Sequence, residues 1–122
     1  MARILIIEDN PANMMLMAYL LSAAGHAVIE ALDGQKGLAI ARDDSPDLVL
    51  CDLQLPGMDG YEVAQRLKLD PGLVAVPRVA VTAFAMVGDR DKALAAGFNG
   101  YIAKPIDPES FVGEIEAYLS KA

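Results

Sequence analysis

The sequence predicts an open α/β sheet of five parallel strands with helices on both faces, and three observations carry that reading. Short apolar runs alternate with helical patterns five times along 122 residues. Two of these runs, Ile4-Leu5-Ile6-Ile7 and Leu48-Val49-Leu50-Cys51, are continuously apolar, as strands buried on both faces must be. Hydrophobic residues make up 54% of the chain, a share that suits a sheet covered on both sides.

The elements follow in order. The first strand is the Ile4–Ile7 run, and a helix opens after it where Asn10 precedes Pro11, a residue suited to a first helical position. Gly25 closes that helix. The second strand, Ala27-Val28-Ile29-Glu30-Ala31, carries a charge and is expected at an edge of the sheet. Asp33-Gly34 opens the second helix, and Ser45-Pro46-Asp47 separates it from the third strand, Leu48–Cys51. Asp59 and Glu62 have capping-box spacing ahead of a helix with Val63 and Leu67 on its inner face. The fourth strand is Val79-Ala80-Val81, and the fourth helix runs from about Val87 to Ala96 and is closed by Gly97. That helix has few large apolar residues beyond Val87 and Leu94, so it is expected to be among the looser elements. Tyr101-Ile102-Ala103 is the fifth strand, and Asp107-Pro108 starts a last helix with Phe111, Ile115 and Leu119 turned inward. Five strands wound in this way give the flavodoxin-like, doubly wound architecture with strand order 2-1-3-4-5.

Length and charge exclude several functions. The chain is long enough for one domain with its own core, and residues 1–122 are read as that single domain. Met1 and the Lys121-Ala122 ending suit a complete chain. Its net charge of −7, from 17 acidic against 10 basic residues, repels nucleic acid, and no basic stripe offsets it. The single cysteine, Cys51, cannot form an internal disulfide and is expected to pack as a small hydrophobe. The first strand begins too early to leave room for a secretory signal, and the longest uncharged stretch, Asn10 to Gly25, is too short to span a bilayer. A soluble, cytoplasmic protein without membrane insertion is expected.

Asp9, Asp52, Thr82 and Lys104 stand where four apolar runs end. In a parallel α/β sheet those ends share one crevice, so residues distant in the chain meet there. A strand-end Asp alone is most often a turn former, and Thr82 or Lys104 alone is most often structural or solvated. All four at the same end of successive strands point to one chemistry, a metal-dependent phosphoryl group on an aspartate. Glu8, Asp9 and Asp52 would repel one another unless a cation sat among them. Magnesium fits, held by Asp9, Asp52 and the backbone carbonyl of Gln54, with Glu8 acting through a bound water. Asp52 is the candidate nucleophile. Phosphoryl transfer needs positioning and charge neutralisation, which Lys104 and the Thr82 hydroxyl would supply, while the small Ala83 leaves the approach open.

With these residues in view, the chain resembles the receiver domain of two-component response regulators. The resemblance rests on Ile6-Ile7-Glu8-Asp9-Asn10, Asp47-Leu48-Val49-Leu50-Cys51-Asp52, Leu55-Pro56-Gly57-Met58-Asp59-Gly60, Val81-Thr82-Ala83 and Lys104-Pro105-Ile106, and runs from about residue 3 to residue 120. It implies transfer of a phosphoryl group from a histidine kinase or histidine phosphotransfer protein onto Asp52, bound Mg2+, and slow self-catalysed hydrolysis of the acyl phosphate. It also implies a switch in which Thr82 moves toward the phosphoryl group and Tyr101 turns inward, where a plain edge-strand tyrosine would keep its hydroxyl in water. A cis Lys104-Pro105 peptide is a further implication. Val81-Thr82-Ala83-Phe84-Ala85-Met86 and Glu8-Asp9-Asn10 with Asn13-Met14 resemble the DivK type of stand-alone regulator most, although receivers attached to hybrid histidine kinases carry similar strings, and a receiver excised from a hybrid histidine kinase or larger regulator is the alternative reading.

A stand-alone receiver acts through protein contacts with its phosphodonor and a downstream target, as a monomer or weak dimer. The first helix is apolar all round. Leu16, Met17, Leu20 and Leu21 are read as its inner stripe, and Met14, Met15, Ala18 and Tyr19 as an outer patch for docking the donor. His26, a lone histidine, is read as surface structure, and Gln54 and Phe84 as flanking the path of attacking water. Two rival functions are disfavoured. A haloacid-dehalogenase-type phosphatase needs an acid two residues after its nucleophile, where this chain has Gln54. A flavin carrier needs a phosphate cradle, where this chain has the acidic Glu8-Asp9-Asn10-Pro11.

Overall fold

A computed structural model describes residues 2–83 and 88–120. The elements are β1 (Arg3–Ile7), α1 (Pro11–Ala23), β2 (Ala27–Ala31), α2 (Gly34–Asp44), β3 (Leu48–Asp52), α3 (Gly60–Leu69), β4 (Arg78–Thr82), α4 (Asp89–Ala96), β5 (Gly100–Ala103) and α5 (Phe111–Ser120). The strands form one sheet in the order β2-β1-β3-β4-β5, and every pairing is parallel, as the alternation of elements predicts. β2, with its charged Glu30, lies at an edge, and the two apolar runs β1 and β3 lie inside.

The side-chain period of a strand divides the core in two. Leu5, Ile7, Val49, Cys51 and Ala80 face one way and pack with Leu38 and Ala41 of α2, Val63, Ala64 and Leu67 of α3, and Ala93 of α4. Ile4, Ile6, Leu48, Leu50, Val79 and Val81 face the other way and pack with Met14, Met17 and Leu21 of α1 and Phe111 and Ile115 of α5. Burying each of these larger side chains contributes about 1.5–3 kcal/mol, so α5 is held chiefly by Phe111 and Ile115.

Helix starts follow the caps read from the sequence. The side chains of Asn10, Asp33 and Asp59 accept hydrogen bonds from the backbone N–H of Asn13, Lys36 and Glu62, at 3.1, 2.8 and 2.9 Å. Glu62 does not return the bond to Asp59. It pairs with Arg66 at 2.7 Å, one turn along, so only half of the capping box forms. Asp107 opens a turn rather than the helix itself. Its side chain takes the Glu109 N–H and its carbonyl takes the Ser110 and Phe111 N–H groups, and α5 begins at Phe111.

Several expectations change. Met14 is buried, 4% exposed, and stands with Met17 and Leu21 at i, i+3, i+7 spacing as the inner stripe of α1. Leu16 and Leu20, read as inner, flank that stripe half-buried. A helix apolar on all sides offers no polar face to fix its rotation, so hydropathy could not choose between these stripes. α4 begins at Asp89, its buried anchor is Ala93, and Leu94 is 39% exposed. Phe84 and Val87 lie outside the described residues. His26 is a tether: its ring is almost fully covered, taking the Ala2 N–H on Nδ1 at 3.0 Å and meeting Glu116 through Nε2 at 2.9 Å.

Arg78 is a buried cation at the start of β4, missed because that strand was read from Val79. Its guanidinium donates to the carbonyls of Gly97 and Val74 at 3.0 and 2.9 Å. Gly97 caps α4, so Arg78 sits where the helix leaves partial negative charge and stitches α4 to the loop before β4. Among the described residues no helix is long and apolar enough to cross a membrane.

Candidate functional site

The register of the strands brings the site together. Ile7 pairs with Cys51, so Glu8 lies level with Asp52 across the sheet. Asp52 pairs with Val81, and Thr82 pairs with Ala103, so Thr82 and then Lys104 complete one rim at the carboxyl ends of β1, β3, β4 and β5. The rim is tied by backbone bonds: Glu8 N–H to Ala31 O at 3.0 Å, Leu53 N–H to Val81 O at 3.1 Å and Lys104 N–H to Thr82 O at 2.8 Å. The Lys104-Pro105 peptide is cis.

Burial varies around this rim. Glu8 is fully buried, Asp52 and Thr82 nearly so, and Asp9 is exposed. Oxygens of Glu8, Asp9 and Asp52 lie within 4.8 Å of one another, a donor set that fits a small hard cation. Asp52 Oδ1 accepts the Gln54 N–H at 2.9 Å, and Oδ2 accepts Lys104 Nζ at 3.2 Å. Glu8 Oε1 accepts Lys104 Nζ at 2.6 Å, and Oε2 accepts the Asn10 N–H at 3.2 Å.

Electrostatics follow from this crowding. Burial, with Asp52 adding to it, pushes the Glu8 carboxyl from an ordinary 4.5 up to about 7, against the pull of Lys104 and the Asn10 N–H. Burial works against the charge on Lys104, but its bond to Glu8 and the Asp52 charge outweigh that, and its ammonium is held above the ordinary value. Burial, with the same carboxylates adding, pushes the Cys51 thiol far up, and its Sγ donates to the Asp52 carbonyl at 3.3 Å.

One positioning residue was not singled out from the sequence. Gly60 opens α3 directly against the end of β3, and a Cβ there would stand 2.5 Å from the Asp52 carbonyl oxygen and 2.7 Å from Leu53 Cα. Only glycine permits that approach, and it sets where Asp52 ends its strand. The signal available was its place directly after the Asp59 cap.

Tyr101 is half-buried against the side of the core that holds α2, α3 and α4. Its hydroxyl is covered and has no partner among the described residues, unlike the water-exposed tyrosine of a plain edge strand. On α1, Met15 and Tyr19 are 72% and 69% exposed, and with Leu32 they line a shallow apolar groove beside β2. Met14 only floors that groove.

Residues 4–116 match the response regulator receiver domain family. The chain is 43% identical over 119 residues to a polar-differentiation response regulator DivK from Brucella anthropi, covering 98% of this chain and 97% of the relative. Among solved structures, a putative response regulator from Chloroflexus aurantiacus superposes with a TM-score of 0.93 at 29% identity, covering 98% of both chains. The receiver domain of a sensor histidine kinase from Pseudomonas aeruginosa, solved with magnesium in its active-site cleft, gives 0.90 at 32% identity, again over 98% of both.

Proposed function

The chain belongs to the response regulator receiver domain family, a signalling family of two-component systems, and from that premise we propose that it accepts a phosphoryl group on Asp52. The observation that supports this most is the placement of Lys104 between Glu8 and Asp52, with Asp9 alongside, at the ends of four strands.

In the proposed reaction one Asp52 carboxylate oxygen attacks phosphorus and forms a new O–P bond. The bond from phosphorus to the donor imidazole of a histidine kinase or phosphotransfer protein breaks, and its electron pair leaves with the imidazole. Lys104 neutralises the phosphoryl oxygens, and the Thr82 hydroxyl, on the same rim, donates to one of them. Asp9, Asp52 and the Gln54 carbonyl would hold Mg2+, with Glu8 acting through a water. When bound, the ion supplies further neutralisation of the transferring group. The same residues support slow self-catalysed hydrolysis of the acyl phosphate.

Signalling then follows from Thr82 and Tyr101. Thr82 is drawn to the phosphoryl group, and the inward Tyr101, whose covered hydroxyl has no partner among the described residues, is the two-state element whose balance shifts. The exposed Met15 and Tyr19, beside Leu32, form the surface that receives the donor's helices. Residues 1–122 are read as one receiver that works alone in the DivK manner, through protein contacts and not through nucleic acid.

The test is direct. Incubation with acetyl phosphate and Mg2+ should add one phosphoryl group to the intact mass, and omission of Mg2+ or the substitution Asp52→Asn should abolish the gain. An unchanged wild-type mass with both acetyl phosphate and phosphohistidine donors would overturn the proposal.

A further inference from the structure

We propose that His26 is a proton-operated clasp, which holds the start of β1 while its ring is neutral and lets it go when the ring gains a proton.

The ring joins three segments. His26 stands between α1 and β2 with its side chain only 7% exposed. Nδ1 accepts the Ala2 N–H at 3.0 Å, and Nε2 meets Glu116 Oε2 of α5 at 2.9 Å. A backbone N–H can only donate, so Nδ1 is the bare nitrogen of the ring, and Nε2 bears the proton that goes to Glu116. One neutral tautomer thus satisfies both contacts. Protonation puts an N–H on Nδ1 as well, aimed at the Ala2 N–H, and two facing donors cannot bond. On the other side of the ring the Glu116 bond becomes charge-assisted and strengthens. The charged ring therefore gives up the start of β1 and keeps α5.

The charges on the surrounding elements leave this exchange to the ring. α5 turns Glu116 toward it, whereas Tyr118 lies over Gly100 of β5. Leu20-Leu21-Ser22-Ala23, the last turn of α1, has no charged residue. Arg3 of β1 is engaged with Asp44 and Asp47, on the β3 side of the strand. The carboxylate of β2, Glu30, stands toward the far end of that strand, level with Ile6.

Ala2 passes the change to the sheet. Its carbonyl takes the Ala27 N–H at 2.8 Å, the first rung between β1 and β2, and β2 is an edge strand. Loss of the ring bond lets Ala2 fray and weakens that rung. Histidines change charge between about pH 5 and 8, so mild acid loosens this edge at the amino ends of the strands, far from the carboxylate rim at their other ends.

The chain has one histidine, so its ring signals in NMR are unambiguous. In 15N-labelled protein with a neutral ring, Nδ1 should appear as the bare nitrogen, coupled across the hydrogen bond to the Ala2 amide nitrogen, and Nε2 as the protonated one. As the ring is protonated, that coupling should vanish. Hydrogen-exchange protection at Ala2 and Ala27, corrected for the intrinsic pH dependence of exchange, should fall about fivefold relative to Val49, whose N–H bonds Pro77. His26→Asn offers an amide oxygen in place of Nδ1 and takes no proton, so it should make the ratio independent of pH. A neutral ring with its proton on Nδ1, or an unchanged ratio in the wild type, would overturn the proposal, and these two readings need no variant. The same fivefold fall in His26→Asn would assign the change to another group and refute it too.

Discussion

Glu8 keeps its proton in the folded chain to about pH 7, whereas an exposed glutamate releases it near 4.5. Between those values the folded state binds more protons than the unfolded one, so stability falls as pH rises. Without divalent metal, the urea midpoint should decline from about pH 5 to about pH 8 by the equivalent of about 1–2 kcal/mol, and Glu8→Gln should flatten that decline. A rising midpoint over the same range in the wild type would show that the Lys104 pairing outweighs the burial of Glu8. Asp9, Asp52, Thr82 and Lys104 were legible in the sequence because each ends an apolar run, and a parallel sheet gathers such ends at one crevice. The Glu8–Lys104 bond was not legible, since it depends on how far two side chains reach across the rim. Gly60 escaped for a similar reason: its role is set by what lies 2.5 Å away and not by its neighbours in the chain.

Helices show where patterning succeeds and where it lacks information. α2 and α3 have a polar face that fixes their rotation, and the inner positions read for α3, Val63 and Leu67, are buried. α1 has none, and Met14 was assigned to the wrong side. The corrected stripe separates the two methionines experimentally. Met14→Ala should cost about 2–4 kcal/mol of stability, and Met15→Glu less than about 0.5 kcal/mol, by denaturant unfolding. In a transfer assay with the cognate phosphodonor, Met15→Glu should slow phosphorylation while leaving the acetyl phosphate reaction intact. The buried cation was hidden because Arg78 precedes an apolar run and reads as a flanking charge. Arg78→Met would leave the Gly97 and Val74 carbonyls without their donor, at about 1–3 kcal/mol. Amide hydrogen exchange should then speed up in the last turn of α4 more than in α5.

Across the whole molecule, four strands each deliver part of the site, so the arrangement exists only while the sheet is closed. A cation that binds this arrangement and not the unfolded chain must therefore stabilise the fold. Mg2+ at about a hundred times its dissociation constant should add about 2.7 kcal/mol, read as a rise in Tm. Asp9→Asn and Asp52→Asn should each remove most of that rise. Strand order and the location of the crevice were legible from the alternation of runs and the continuous apolarity of β1 and β3. Side-chain partners such as His26 with Ala2 and Glu116 were not, because they join segments that no local pattern relates.

Cys51 is the chain's single cysteine, has no exposed surface, and sits beside Asp52 in the central strand. Burial also keeps its thiol protonated, so an alkylating reagent can reach a reactive sulfur only after the sheet has parted. The protein therefore carries its own clock for opening. The rate at which iodoacetamide consumes Cys51 reports how often β3 is exposed, in the unaltered chain and in any variant of it.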